Sequence, residues 1–171
     1  MKVILLMALT VDGMIARDSD HFPDWTGRED KRMFKDMTIK AGVLIMGSKT
    51  YDTIGRPLPG RKNVVMSRNK RRISQQKDLV FTDKPPRELL ADLRQEGFEV
   101  AILAGGSQIN TIFAREDLID EIYLTYVPQI FGTGLTLFSD SIAMQLELMD
   151  FKHLGTGQIF AWYRVIREAM A

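Results

Sequence analysis

Short continuous apolar runs alternate along the chain with segments in which apolar residues recur every three or four positions. Val3 to Leu9 is the first run and predicts a buried strand, closed by a turn at Asp12-Gly13. A long polar segment follows from Thr10 to Trp25. Thr26-Gly27-Arg28-Glu29 has the spacing of a capping box and predicts a helix running to about Lys40, where Gly42 breaks the pattern. Val43-Leu44-Ile45-Met46 is apolar throughout, as a strand covered on both faces should be. A short helix is expected from Ser48 to Ile54, then a Gly/Pro-rich loop, a strand from Asn63 to Ser67, a basic loop through Arg72 and a strand at Leu79 to Phe81. Pro85-Pro86 opens a helix carrying Leu89, Leu90 and Leu93, and Gly97 ends it. Val100 to Leu103 reads as a strand leading through Gly105-Gly106 into a helix with Ile109, Ile112 and Phe113. Ile122 to Val127, Gln145 to Phe151 and Ile159 to Ile166 read as strands, the last two with no helix between them.

Strands separated by helices pair in parallel through right-handed crossovers, whereas directly connected strands pair antiparallel. The expected fold class is three-layer α/β: a mostly parallel central sheet with an antiparallel C-terminal hairpin at its edge. Such sheets bind ligands at the carboxyl ends of their strands. With 171 residues and 45% hydrophobic composition, residues 1–171 are expected to form one domain. Lys plus Arg is 23 and Asp plus Glu is 22, a net charge of +1 that argues against a dedicated nucleic-acid binder. The stretch Arg61 to Arg72 is basic but lacks interleaved aromatics, and Lys70, Arg71 and Arg72 read as a solvated loop face. There are no cysteines and only two histidines, so no metal site is expected. The N-terminal apolar run is too short to span a membrane, and the expected location is the cytoplasm.

Four constellations carry chemistry. Asp30, Met33, Phe34 and Met37 lie at i, i+3, i+4 and i+7, which puts a carboxylate on the inward face of a helix. The first turn also suits an acid electrostatically, but burial would raise its pKa toward the range useful for acid catalysis. Met46-Gly47-Ser48-Lys49-Thr50 and Gly105-Gly106-Ser107 each join a strand end to a helix N-terminus, and with Arg68 they suit a polyanion. The G-x-G-x-x-G fingerprint is absent, so an ordinary Rossmann site is excluded. Ile54 to Asn63 is a proline-stiffened loop that projects Arg56 and Arg61, and arginine suits bidentate carboxylate binding.

Ile45 to Arg68, read as I-M-G-S-K-T-Y-D-T-I-G-R-P-L-P-G-R-K-N-V-V-M-S-R, closely resembles the core of dihydrofolate reductases. A-L-T-V-D-G-M-I-A (Ala8 to Ala16), A-G-G-S (Ala104 to Ser107) and I-Y-L-T (Ile122 to Thr125) resemble further blocks in the same order. The resemblance implies the dihydrofolate reductase fold and an NADPH-dependent reduction of 7,8-dihydrofolate. Asp30, with Trp25 and Phe34 at the family's spacing, would anchor the pterin amidine edge and promote protonation, with Thr125 nearby. Ile54 and Leu58 would wall the aminobenzoyl group and Arg61 would grip the glutamate carboxylate. On the cofactor side, Ala8 and Ile15 would meet the nicotinamide, while Gly47, Ser48, Lys49, Thr50, Ser67 and Arg68 would hold the adenosine phosphate. Gly105, Gly106, Ser107, Gln108 and Ile109 would take the diphosphate, and Arg17 to Trp25 would be a lid.

Three departures stand out. Ser48 and Asn110 occupy positions where the family often has a basic residue and a tyrosine, and one extra residue separates Pro23 from Trp25. Pro128 to Phe138 resembles instead the riboflavin-pathway pyrimidine reductases. The alternative substrates are accordingly a pyrimidine ribityl phosphate or another pterin. The expected partner is a small molecule, with neither nucleic acid nor membrane, and the chain is expected to be a monomer or a homodimer.

Overall fold

A computed structural model describes residues 1–155 and 157–167. In chain order the elements are β1 (Lys2–Thr10), β2 (Met14–Ala16), α1 (Gly27–Ala41), β3 (Val43–Gly47), α2 (Ser48–Ile54), β4 (Lys62–Met66) and β5 (Leu79–Thr82). They continue with α3 (Pro86–Gln95), β6 (Val100–Leu103), α4 (Ser107–Arg115), β7 (Glu121–Val127), β8 (Leu135–Thr136), β9 (Gln145–Leu154) and β10 (Gln158–Ile166). The main sheet has the order β5-β4-β3-β6-β1-β7-β10-β9. The first six strands are parallel to their neighbours, and β10 lies antiparallel to both β7 and β9.

The period of two along β1 divides the core. Val3, Leu5 and Leu9 join one apolar cluster with Leu89 and Leu93 of α3 and Phe113 of α4. Ile4 and Leu6 point to the other face and pack with Met33, Phe34 and Met37 of α1 and with Ile54 of α2. Two helices therefore cover each face of the sheet, the expected three layers. β3 is buried along its whole length because it is flanked by β4 and β6 and covered on both sides.

Three expectations need correction. The segment from Thr10 to Trp25 is not wholly irregular, since β2 pairs with the two-residue β8 in a separate small sheet. The capping box does not form: Thr26 has helical backbone angles and makes no side-chain cap. The β9–β10 hairpin reaches across this helix end instead. Gln158 Nε2 donates to the Thr26 carbonyl at 2.6 Å, and Glu29 packs against Gly155, where a Cβ would lie 2.7 Å from its Cδ. Arg72 is not part of a solvated face; it forms a bidentate pair with Asp52 of α2, at 2.7 and 2.6 Å, which pins the basic loop. The C-terminal hairpin is antiparallel as expected, with β9 as the edge strand and β10 inside it.

Gly27 opens α1 with φ of +83°, and a Cβ there would lie 2.7 Å from Gln158 Nε2. Gly27→Ala is expected to cost about 1–3 kcal/mol through left-handed strain and loss of the Gln158 brace. Urea unfolding measures this, and an unchanged midpoint would contradict the packing described.

Candidate active site

Helix α1 carries Asp30 in its first turn, on the same stripe as Met33, Phe34 and Met37. The residue is only 8% exposed. Burial pushes its carboxyl above the ordinary aspartate value, opposed by the hydroxyls of Thr125 and Thr26 and by the charge of Lys31. Thr125, on β7, is wholly buried between Ala8 of β1 and Phe160 of β10 in the sheet. Its Oγ1 closes no hydrogen bond of ordinary geometry, and neither does the buried Nε1 of Trp25. Buried polar atoms are normally satisfied, so Thr125 Oγ1 and Trp25 Nε1 each retain hydrogen-bonding capacity that a ligand could use.

Arg61 is the second unusual charge. It is 6% exposed, its Nη1 donates to the Lys35 carbonyl of α1 at 3.2 Å, and its Nε is buried without a partner. No carboxylate lies within ion-pair distance of it among the described residues, and burial lowers its pKa. The loop is held by Asn63, a residue the sequence reading missed. Fully buried, Asn63 accepts from Leu58 N at 2.9 Å and donates through Nδ2 to the carbonyls of Leu58 and Arg61, each at 2.9 Å. This brace fixes Leu58 and Arg61 relative to each other. Ile54 and Leu58 are half-buried in the cluster that also contains Phe34.

The two glycine junctions converge because β3 and β6 are neighbours in the sheet. Gly47 N donates to the Gly105 carbonyl at 2.8 Å, and a Cβ on Gly47 would lie 2.9 Å from Ile109 Cγ1. A Cβ on Gly106 would lie 3.4 Å from Thr50 Oγ1. Glycine is thus favoured at Gly47 by the close approach and at Gly105 by its φ of +81°, whereas a Cβ at Gly106 would make ordinary contact. α2 and α4 begin side by side with Ser48, Lys49, Thr50, Ser107 and Gln108 in their first turns. Lys49 and Arg68 are exposed and enter no ion pair among the described residues, unlike Lys70, which faces Asp83 at 3.5 Å. Ser67 follows β4 directly and bonds to the Thr82 carbonyl. Two free amide-rich helix starts and two unpaired cations fit a dinucleotide that carries an additional phosphate. Asn110 is buried, donates to the Leu137 carbonyl at 2.8 Å and leaves its own Oδ1 unpaired.

The segment read as a lid is held from an unexpected side. Phe131, in the loop after β7, lies with its ring 5.0 Å from Trp25, 5.4 Å from His21 and 4.1 Å from the Arg17 guanidinium carbon. Asp12 accepts from the backbone of Phe131 and Gly132. The sequence placed these positions in two blocks of family resemblance, Ala8 to Ala16 and Pro128 to Phe138, without linking them. Among the described residues no group of three or more His, Cys, Asp or Glu side chains could hold a metal ion. Among the described residues no helix is long and apolar enough to cross a membrane.

Residues 2–158 match the family model for dihydrofolate reductase. The chain belongs to the dihydrofolate reductase family. It is therefore an oxidoreductase. A dihydrofolate reductase type 3 from Salmonella typhimurium is 33% identical over 150 residues, covering 88% of this chain and 86% of the relative. Among solved structures, a pyrimidine reductase-like protein from Corynebacterium diphtheriae superposes with a TM-score of 0.76 at 16% identity, covering 98% of this chain and 92% of that one. A Thermotoga maritima diaminohydroxyphosphoribosylaminopyrimidine deaminase/5-amino-6-(5-phosphoribosylamino)uracil reductase gives a TM-score of 0.80 at 18% identity, covering 96% of this chain and 56% of that one. At these identities the structural neighbours establish the shared fold, and the hairpin and parallel sheet described above are its elements.

Asp30 binds its proton more tightly in the folded protein than in the unfolded chain, so its ionisation opposes folding. This cost is absent below the ordinary value of 3.8, grows as pH rises through the raised folded value, and stays constant above it. Asp30→Asn is expected to raise the Tm of the ligand-free protein at pH 7, by about 2–4 °C for each kcal/mol relieved. The gain should vanish near pH 3, and thermal melts across this range check it; a lower Tm at pH 7 would contradict a dry carboxylate.

Proposed function

We propose that the protein reduces 7,8-dihydrofolate to 5,6,7,8-tetrahydrofolate at the expense of NADPH. The observation that carries this reading is the buried carboxylate of Asp30, set beside the hydroxyl of Thr125 and, among the described residues, in no ion pair. A carboxylate held dry favours a ligand that brings N–H donors or positive charge, because either relieves the desolvation penalty. The amidine edge of a pterin brings both. NADPH would supply the hydride, and the overall change also consumes one proton from solvent.

The chain's own residues would do the rest. Asp30 would orient the pterin and, by its charge, raise the proton affinity of the imine being reduced, with Thr125 hydrogen-bonding at the same edge. Phe34, Ile54 and Leu58 would line the aromatic part of the substrate and keep water from it. Arg61, desolvated and short of a partner, would receive the glutamate carboxylate. Trp25 would close the side of the site under the lid. Ala8 and Ile15 would face the nicotinamide. Gly47, Ser48, Lys49, Thr50, Ser67 and Arg68 would hold the adenosine phosphate, and Gly105, Gly106, Ser107, Gln108 and Ile109 the diphosphate.

A second reading, reduction of a pyrimidine ribityl phosphate, is supported by the segment from Pro128 to Phe138, whose β8 pairs with β2 next to Ile15. Arg61 favours the folate reading, since a substrate without a distal carboxylate leaves that guanidinium unpaired.

NADPH oxidation followed at 340 nm with each substrate separates the two. Asp30→Asn is expected to lose most turnover with dihydrofolate at pH 7 and to recover part of it as pH falls and the substrate arrives protonated. Full activity of that variant would remove Asp30 from the chemistry. Arg61→Ala is expected to raise KM for dihydrofolate by about 10- to 150-fold, the loss of about 1.5–3 kcal/mol for a hydrogen bond to a charged group. An unchanged KM would show that Arg61 does not bind the substrate carboxylate.

A further inference from the structure

A glutamine at the start of a strand normally faces water. Gln158, which opens β10, is only 5% exposed. Its Nε2 reaches the start of α1 and donates to the Thr26 carbonyl at 2.6 Å, joining residues 132 positions apart. Its Oε1 is buried with no hydrogen-bond partner among the described residues. The donor half of the amide is used and the acceptor half is left over, although an unsatisfied buried acceptor carries a penalty. The single bond that is made therefore calls for a reason.

The peptide held by Gln158 joins two backbone conformations that do not belong to a helix cap. Thr26 has φ of −78° and ψ of −9°, and Gly27 follows with φ of +83°. An N-cap threonine has an extended backbone and turns its hydroxyl to the first helix amides. With the Thr26 carbonyl tied to the hairpin, that geometry is not adopted. The hydroxyl acts instead on the Asp30 carboxylate, where it favours the charged form. Gly27 leaves room for this, since a Cβ there would lie 2.7 Å from Gln158 Nε2. Few other groups bear on Asp30 among the described residues. β7 faces it with the neutral hydroxyl of Thr125, β10 meets the helix start with the neutral amide of Gln158, and the charge that acts on it comes from Lys31 of its own helix.

We propose that Gln158 is a positioning residue for the Asp30 carboxylate: by fixing the Thr26 carbonyl, it directs the Thr26 hydroxyl onto Asp30 and away from the helix cap. Burial makes Asp30 hard to ionise, and the hydroxyl held in this way offsets part of that penalty. The edge hairpin thus sets how readily the buried acid gives up its proton, through one amide and one hydroxyl. The consequence for turnover rests on the reductase reading, in which the ionised carboxylate receives the pterin; the positioning itself is independent of any substrate.

Gln158→Met keeps the length of the side chain and removes its donor. In the ligand-free protein with ¹³C-labelled aspartate carboxyls, this variant is expected to move the Asp30 midpoint further up, because the carboxylate loses a hydrogen-bond donor. Thr26→Val should move it in the same direction, and Thr26→Ser, which keeps the hydroxyl, should leave it near the wild-type position. Added to Thr26→Val, Gln158→Met should produce no further shift, because the two residues act in series. Simple loosening of the hairpin would have the opposite sign: water entering beside Asp30 would bring the midpoint down toward the ordinary value. Should Gln158→Met fail to fold, Gln158→Asn, which withdraws the amide by one methylene, takes its place. A midpoint unmoved or lowered by the Gln158 substitution, or a shift of equal size in the Thr26→Val background, would overturn the proposal. With dihydrofolate, the acid limb of kcat/KM reports groups of the free enzyme and is expected to move to higher pH in Gln158→Met, with the plateau above it retained. If the wild-type protein did not reduce dihydrofolate, the substrate assignment would fall while the titrations still decided the role of Gln158.

Discussion

A carboxylate occupies a position in the first turn of α1 where the helix periodicity calls for another apolar residue. The cost of removing it from water is borne without a neighbouring cation, since Lys31 acts on it only weakly and from outside. A residue like this is tolerated only where something arriving later offsets the desolvation. The packing of the molecule makes that position dry: Met33, Phe34 and Met37 seat α1 on the sheet, and the C-terminal hairpin closes the helix start through Gln158 and Glu29.

The remaining groups are arranged around this charge by sheet order. Thr125 arrives on β7 and Ala8 on β1, opposite one another in the parallel register. β3 and β6 bring their glycine junctions into contact, so that two helices start at one place. The proline loop is locked by Asn63, which leaves Arg61 desolvated with hydrogen-bonding capacity to spare. Under the proposed function, the desolvated cation and the desolvated anion would each meet a complementary group of the substrate. The proposed function would need neither cysteine nor a histidine cluster: a cofactor carrying the hydride would leave the protein to supply orientation, dryness and one well-placed charge.

Much of this was legible in the sequence, for identifiable reasons. The parallel strands are continuous apolar runs and the helices carry strong i, i+3, i+4 patterns, so the layers and the inward placement of Asp30 follow from periodicity. The junctions at Gly47 and Gly105-Gly106 were legible because glycine suits both the close approach at Gly47 and the positive φ at Gly105. What was not legible depends on partners distant in sequence. The capping box at Thr26 and Glu29 has the right spacing, but the Thr26 hydroxyl turns to Asp30 and the Glu29 carboxylate lies against Gly155 of a hairpin more than 100 residues later. Arg72 looked solvated because Asp52 precedes it by 20 residues. β2 was hidden because its partner β8 is only two residues long, and Phe131 stood out only as part of the Pro128 to Phe138 resemblance, with nothing in the pattern to pair it with Trp25.

The central claim is that Asp30 is a desolvated carboxylate awaiting a complementary ligand. Selective ¹³C labelling of aspartate carboxyl groups, assigned with Asp30→Asn and titrated by NMR, observes it directly. The account predicts that the Asp30 resonance of the ligand-free protein titrates above the ordinary value of 3.8, and that saturating dihydrofolate moves its midpoint downward as the pterin supplies hydrogen-bond donors. A midpoint at the ordinary value, unmoved by the ligand, would show a solvated side chain and contradict the assignment of this site.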